Sequence, residues 1–198
     1  LGKVFVTWHK KEIMRNLVFV LALFFSMNII AQQTVNGVTF PAKVKGSKGD
    51  LELNGAGVRK KSMFKVYVLG LYLKNKSKDA AAIIKSNEEM FVRLQITSSM
   101  VNEKNMTEAI EEGFEKSLNG NTAPLQSKID ASLGSFKGDI AVGDVFEFHY
   151  IPAIGVKISK NGNHITTTEG EDFKRALWGI WLSNNPVDAN LKKALIGG

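Results

Sequence analysis

An arginine, Arg59, and a tyrosine, Tyr67, are the two side chains of this sequence best suited to hold an oxygen-rich small molecule. A guanidinium is a permanent planar cation whose fork matches a carboxylate or an enolate, and a phenol can donate a hydrogen bond to the same oxygen. They lie in Leu53-Asn54-Gly55-Ala56-Gly57-Val58-Arg59 and, a few residues on, in Phe64-Lys65-Val66-Tyr67-Val68-Leu69-Gly70-Leu71-Tyr72-Leu73. Gly55 and Gly57 permit a tight turn or a close backbone approach. The later run is rich in β-branched and aromatic residues, which favour a pleated, half-buried surface. If residues 59–73 are extended without a bulge, alternation sets Arg59, Tyr67, Leu69, Leu71 and Leu73 on one face. Such a wall suits a ligand that is mostly apolar with one anionic end, because a buried cation needs a partner. The competing reading has Arg59 in water or paired with a nearby acid.

Other chemistry finds little support. There is no Walker loop, dinucleotide fingerprint, zinc helix or nucleophile elbow. Beyond residue 31 only His149 and His164 remain, and His149 falls on an alternating strand where a solvent-side or packed role is expected. A triad would need a nucleophile and an orienting acid as well. The chain has no cysteine, which excludes a disulfide framework, a thiolate metal site and a thiol nucleophile. Two isolated histidines make a poor metal site, so neither metal nor cofactor is expected. Glu111 and Glu112 are adjacent on a helical stretch and point in different directions, as on a solvated face. Trp178 and Trp181 are assigned to the core or its edge, with an aromatic ligand platform as the alternative.

The elements that must position Arg59 and Tyr67 follow from periodicity. Residues 38–44 and 51–53 alternate as short half-buried strands, and residues 90–96 and 145–151 do so at greater length. Residues 156–159 and 164–167 form a hairpin through Lys160-Asn161-Gly162-Asn163, where Asn-Gly is a strong turn signal. Residues 79–85 form a brief helix. From Asn105 to Leu118 the period becomes helical, with Asn105 and Glu108 resembling a capping box and Gly120 as the stop. Thr122 before Ala123-Pro124 opens another helix, with Leu125, Ile129 and Leu133 on one stripe. Glu171 and Asp172 favour the first turn of a third, striped by Phe173, Leu177, Ile180 and Trp181. Asn185-Pro186 is read as the cap of the last, striped by Val187, Leu191 and Leu195. Helices that cluster in the middle and at the end, apart from the strands, indicate an α+β fold rather than a parallel α/β sheet.

The amino terminus reads as a signal peptide over residues 1–31. Lys10, Lys11 and Arg15 precede an unbroken apolar run at residues 17–25, and Ala31 is a small residue before the polar Gln32-Gln33-Thr34. The run falls short of the ~20 residues of a spanning helix, so no spanning segment is expected after processing. Met14 is a natural start for such a leader. The expectation is export to the periplasm or medium, with a single domain over residues 32–198. Losing Lys3, Lys10, Lys11 and Arg15 together with Glu12 takes three charges from the formal +7 and leaves +4. With 198 residues, 44% of them hydrophobic, the chain can build one sizeable core. Its lysines are scattered among acids and not interleaved with stacking aromatics, so no nucleic-acid partner is expected.

At Gly55-Ala56-Gly57-Val58-Arg59, at Lys65-Val66-Tyr67-Val68-Leu69-Gly70-Leu71-Tyr72-Leu73 and at Asn185-Pro186-Val187-Asp188-Ala189-Asn190-Leu191-Lys192 the sequence resembles the bacterial chalcone isomerase-like proteins. The resemblance implies an open-faced β-sandwich of chalcone isomerase type, in which helices cover a long antiparallel sheet and the ligand cleft lies between them. In the plant isomerases a phenolate attacks an unsaturated ketone and closes a ring, and Arg59 matches the arginine that stabilises the anion. The rest of that pattern departs. Tyr67 stands for the strand threonine, Met106 and Gly113 stand where a helix tyrosine and asparagine are carried, and the Val187-Asp188-Ala189 region lacks the near-terminal hydroxyl. Each missing donor costs roughly a hundredfold in rate by analogy with oxyanion-hole deletions. Fatty-acid-binding relatives of the same fold pair an arginine with a tyrosine on the ligand carboxylate, which Arg59 and Tyr67 match. The implied function is therefore non-catalytic binding of an apolar acid such as a fatty acid, over a cleft lined by Leu69 and Leu71. The alternative is a ring-closing isomerase of phenolic compounds that uses Arg59.

Overall fold

In the computed structural model residues 32–197 are described, and the expected leader lies outside the described residues. Strands β1 (Gln33–Val35) and β2 (Val38–Phe40) form a small hairpin of their own. Its turn is Asn36-Gly37, both at positive φ, the backbone that a two-residue turn of this kind requires. The expected strand over residues 38–44 is broken at Pro41, and its second half is β3 (Lys43–Lys45). From there β4 (Asp50–Lys61), β5 (Phe64–Leu73), β6 (Met90–Ile96), β7 (Val145–Ile151), β8 (Gly155–Lys160) and β9 (Asn163–Thr168) join β3 in one antiparallel sheet in chain order.

The helices are α1 (Ala80–Lys85), α2 (Glu103–Ser117), α3 (Gln126–Leu133), α4 (Glu171–Leu182) and α5 (Ala189–Leu195). They lie on one face of the sheet. There Leu69, Leu71, Val92, Leu94, Phe146 and Phe148 pack with Ile110, Phe114, Leu177 and Trp178 in one continuous core. Full burial of side chains of this size contributes about 1.5–3 kcal/mol each, which is what holds short helices on the sheet. The opposite face carries a smaller core of Leu51, Leu53, Ala56, Val68, Tyr72 and Phe91, closed by Phe40 of β2. The Phe40 ring sits where a Cβ on Gly70 would be, 2.6 Å from that point. A glycine in the middle of β5 is thus what lets the first hairpin lie flat on the sheet. None of the described helices is long and apolar enough to cross a membrane.

Local signals account for most boundaries, and the structure moves several of them. The expected single strand over residues 59–73 is two strands, turned at Ser62-Met63 with Ser62 at φ 55°. Gly55 and Gly57 lie inside β4, where they allow close approach instead of a turn. A Cβ on Gly55 would stand 2.2 Å from the Ala194 carbonyl oxygen of α5. The capping box of α2 is Asn102 with Asn105, each side chain accepting from the other's backbone N–H, three residues before the expected position. Helix α5 is capped by Asp188, whose Oδ1 accepts from the N–H groups of Asn190 and Leu191, and not by Asn185-Pro186. The Asn161-Gly162 hairpin forms as expected.

Candidate functional site

Arg59 reaches the helix-covered face because β4 contains an irregularity. Leu51 and Leu53 belong to the outer core, and simple alternation would keep Gly55, Gly57 and Arg59 on that side. The pairing of β4 with β5 instead slips between Leu53, opposite Tyr72, and Gly55, opposite Leu71. Asn54 is the extra residue of this β-bulge, and beyond it Ala56 and Val58 take over the outer face. The bulge is pinned by the Asn54 side chain. Its Nδ2 donates to the carbonyls of Ser77 at 2.9 Å and Leu195 at 2.7 Å, and its Oδ1 accepts from the Ser77 N–H at 2.7 Å.

Arg59 stands directly opposite Tyr67 across β4 and β5, and both line a cavity of about 330 Å³ at this end of the sheet, beneath α2 and α4. Small-molecule sites begin at about this size. Most of the wall is apolar, with Leu94, Met106, Ile110, Phe148, Leu177 and Ile180 prominent. Leu69 and Leu71, expected to line the cleft, lie in the core beneath the helices and do not border the cavity.

The polar groups divide between held and available atoms. Arg59 Nη1 reaches the Lys60 carbonyl and lies 3.6 Å from Asp188 Oδ2. Both partners of that ion pair are largely covered, with side chains 16% and 10% exposed, so water screens them little. Beyond these oxygens the guanidinium faces the Tyr67 phenol, whose pKa it helps to lower, and its remaining nitrogens meet no carboxylate among the described residues. The paired-with-an-acid reading and the cavity reading of Arg59 therefore both hold. Asp188 Oδ2 also accepts from the Lys60 N–H at 3.0 Å, so one carboxylate caps α5, ties it to β4 and faces the arginine. Tyr67 is buried, and its oxygen accepts from Trp181 Nε1 at 3.0 Å. Burial pushes its hydroxyl above the ordinary value, opposed by the Trp181 hydrogen bond and the Arg59 charge. The phenol is protonated at neutral pH and keeps its proton to donate. Asn105 also borders the cavity, but its amide is engaged with the Met100 carbonyl and the Asn102 N–H.

Arg59 and Tyr67, expected on one face, both line the cavity, and sequence reasoning missed Asp188 and Asn54, which position Arg59. Asp188, two residues before Asn190 and three before Leu191, carries an ordinary cap signal close behind the competing Asn185-Pro186. Trp181, expected in the core or at its edge, is buried and borders the cavity. His149 lies on the outer face, 2.7 Å from Glu89 Oε1 and edge-on to Phe91, far from this chemistry. Among the described residues no group of three or more histidines and acids is placed to hold a metal ion.

A seven-stranded antiparallel sheet with helices on one face and an apolar cavity between the layers is the open-faced β-sandwich of the chalcone isomerase fold. The chain belongs to the chalcone isomerase-like family, whose model matches residues 32–197. Among solved structures it is similar to a fatty-acid binding protein of Arabidopsis thaliana, AtFAP1. The two share 18% identity at a TM-score of 0.67, over 84% of this chain and 96% of that one, a likeness of fold. No curated protein sequence matches the chain.

Proposed function

We propose that this chain is an exported, non-catalytic binding protein for an apolar ligand with an acidic end, such as a fatty acid. The observation that carries the reading is the pairing of Arg59 with Tyr67 on the wall of an otherwise apolar cavity. A carboxylate placed there would accept from the remaining guanidinium nitrogens and from the Tyr67 hydroxyl, while the tail lies among Leu94, Ile110 and Phe148. The similarity of fold to a protein named for fatty-acid binding supports the ligand class. Against ring closure, the one cavity amide, on Asn105, is already engaged, and Met106 offers no hydrogen bond. The export half of the proposal rests on the signal-like residues 1–31.

Mass spectrometry of the purified protein, native and then after denaturation and organic extraction, tests the binding reading against Arg59→Ala. A stoichiometric acid released from the wild type and missing from the variant is the expected result. Cyclisation of a chalcone faster than in buffer, abolished by Arg59→Ala, would overturn it. Export is tested by fractionating cells that express the full chain, with the intact mass expected to begin at Gln32.

A further inference from the structure

The end of the sheet that bears the cavity also bears most of the exposed apolar surface. Six large hydrophobic side chains among the described residues are exposed: Met63, Phe64, Met100, Val142, Ile154 and Ile165. Met63 lies in the β4–β5 turn and Phe64 opens β5, Met100 follows β6 and Val142 precedes β7, and the register puts all these connections at one end. Met63 is 90% exposed and Phe64 52%. A hairpin that presents two neighbouring large apolar side chains to water at its tip offers an apolar patch, and such patches mark contact surfaces.

The charges beside them select the partner. The turn reads Lys60-Lys61-Ser62-Met63-Phe64-Lys65, with no acid between Glu52 and Asp79. Lys60 and Lys61 form no ion pair among the described residues, and Lys65 bonds only the neutral Asn36 Oδ1 at 3.0 Å. Glu112, on α2, feels Lys61 but is itself bonded to Lys116 at 2.6 Å. Apolar prongs flanked by unneutralised lysines match the layered chemistry of an anionic bilayer, where acyl chains lie beneath a negative headgroup plane. Lys61, Ser62 and Phe64 are at the same time part of the cavity wall.

We propose that the β4–β5 turn docks on an anionic lipid surface, with Met63 and Phe64 entering the headgroup region and Lys60, Lys61 and Lys65 on the phosphates. Docking there sets the cavity mouth against the membrane, so an apolar ligand can pass between bilayer and protein without crossing water. The contact needs no ligand in the cavity, so its failure would leave the binding reading untouched.

The chain has no cysteine, so Met63→Cys gives a unique site for an environment-sensitive fluorophore. The full chain is titrated with vesicles of phosphatidylcholine and phosphatidylglycerol, with Ile154→Cys, at the opposite end of the sheet, as the comparison. A blue shift at position 63 is expected, weaker with phosphatidylcholine alone and suppressed by salt, with little change at position 154. Each lysine is worth about a fivefold affinity on such a surface, so K60Q/K61Q/K65Q should weaken the contact by about a hundredfold. No response at 63, or an equal response at 154, overturns the proposal. So does a blue shift without vesicles: one that grows with protein concentration assigns the turn to a second copy, and one that does not assigns it to the chain itself.

Discussion

The indole N–H of Trp181 donates to the phenolic oxygen of Tyr67 over 3.0 Å, joining α4 to β5 at the inner wall of the cavity. The bond fixes the phenol's role as well as its place. With its oxygen accepting from Trp181 and facing the Arg59 cation, which has only donors, the tyrosine has its own proton left to offer toward the cavity.

Tyr67→Phe removes that oxygen and leaves a buried indole N–H without a partner. An orphaned buried donor costs about 1–3 kcal/mol, so denaturant unfolding should show a loss in that range. The same variant should retain less of a bound acid in the extraction experiment. Undiminished ligand together with unchanged stability would remove Tyr67 from the site.

Asp188 performs two separable tasks. Asp188→Ala removes the cap of α5 and the acceptor for the Lys60 N–H, and should cost about 1–2 kcal/mol in stability. Asp188→Asn keeps an acceptor for the cap and removes the charge facing Arg59. Its expected signature is tighter binding of a fatty acid by several-fold with a smaller change in stability, measured by titration calorimetry. Equal weakening of binding by both variants would mean that the carboxylate orients Arg59 rather than competing for it.

Gly55→Ala tests the docking of α5 on β4. The new methyl would meet the backbone oxygens of Ala194 and Leu195, which have no rotamer to escape into. A loss of about 1–3 kcal/mol is expected, as for overpacking elsewhere. An unchanged unfolding midpoint would show that α5 can move away freely.

Lys174 supplies the pH dependence. It is fully buried on α4, with Nζ donating to the Ile84 carbonyl at 2.8 Å and to that of Ser86, so it holds the end of α1. Burial lowers its pKa from the ordinary 10.5 to about 8, with Glu171 opposing and Arg175 adding. Between those two values the unfolded chain binds a proton that the folded chain has lost, so stability rises with pH across the window. The gain of wild type over Lys174→Met between pH 8 and 10.5 should be on the order of 2–3 kcal/mol, read from denaturation at both ends. Parallel pH profiles for the two proteins would show that the buried amine does not titrate there.

Much of this architecture could be read from the chain. Strands β6 and β7 alternate because their inner face is the main core while the outer face is mostly half-buried, Phe91 excepted, and Asn161-Gly162 marks its hairpin without ambiguity. Asn36-Gly37 carries the same signal, but the three-residue strands around it are too short to show a period. The β4–β5 turn is hidden for a different reason: Ser62 adopts positive φ without being glycine, so no residue type announces it. Arg59 was correctly set beside Tyr67, although the assumed single extended strand is in fact a hairpin. Antiparallel pairing puts opposite residues on one face just as alternation does, so the wrong path led to the right neighbour. The walls of the cavity were not legible, because they depend on how α2 and α4 cross the sheet.

Asn54 gives β4 two reading frames. Before it, odd-numbered residues look toward the first hairpin; after it, they look toward the helices. Removing this one residue would leave the composition of the strand almost intact while sending the guanidinium to the far side and bringing Val58 to the cavity. Which face the guanidinium takes therefore depends on a count as much as on an amino acid, and a variant can keep every polar side chain of the cavity and still turn Arg59 away from it.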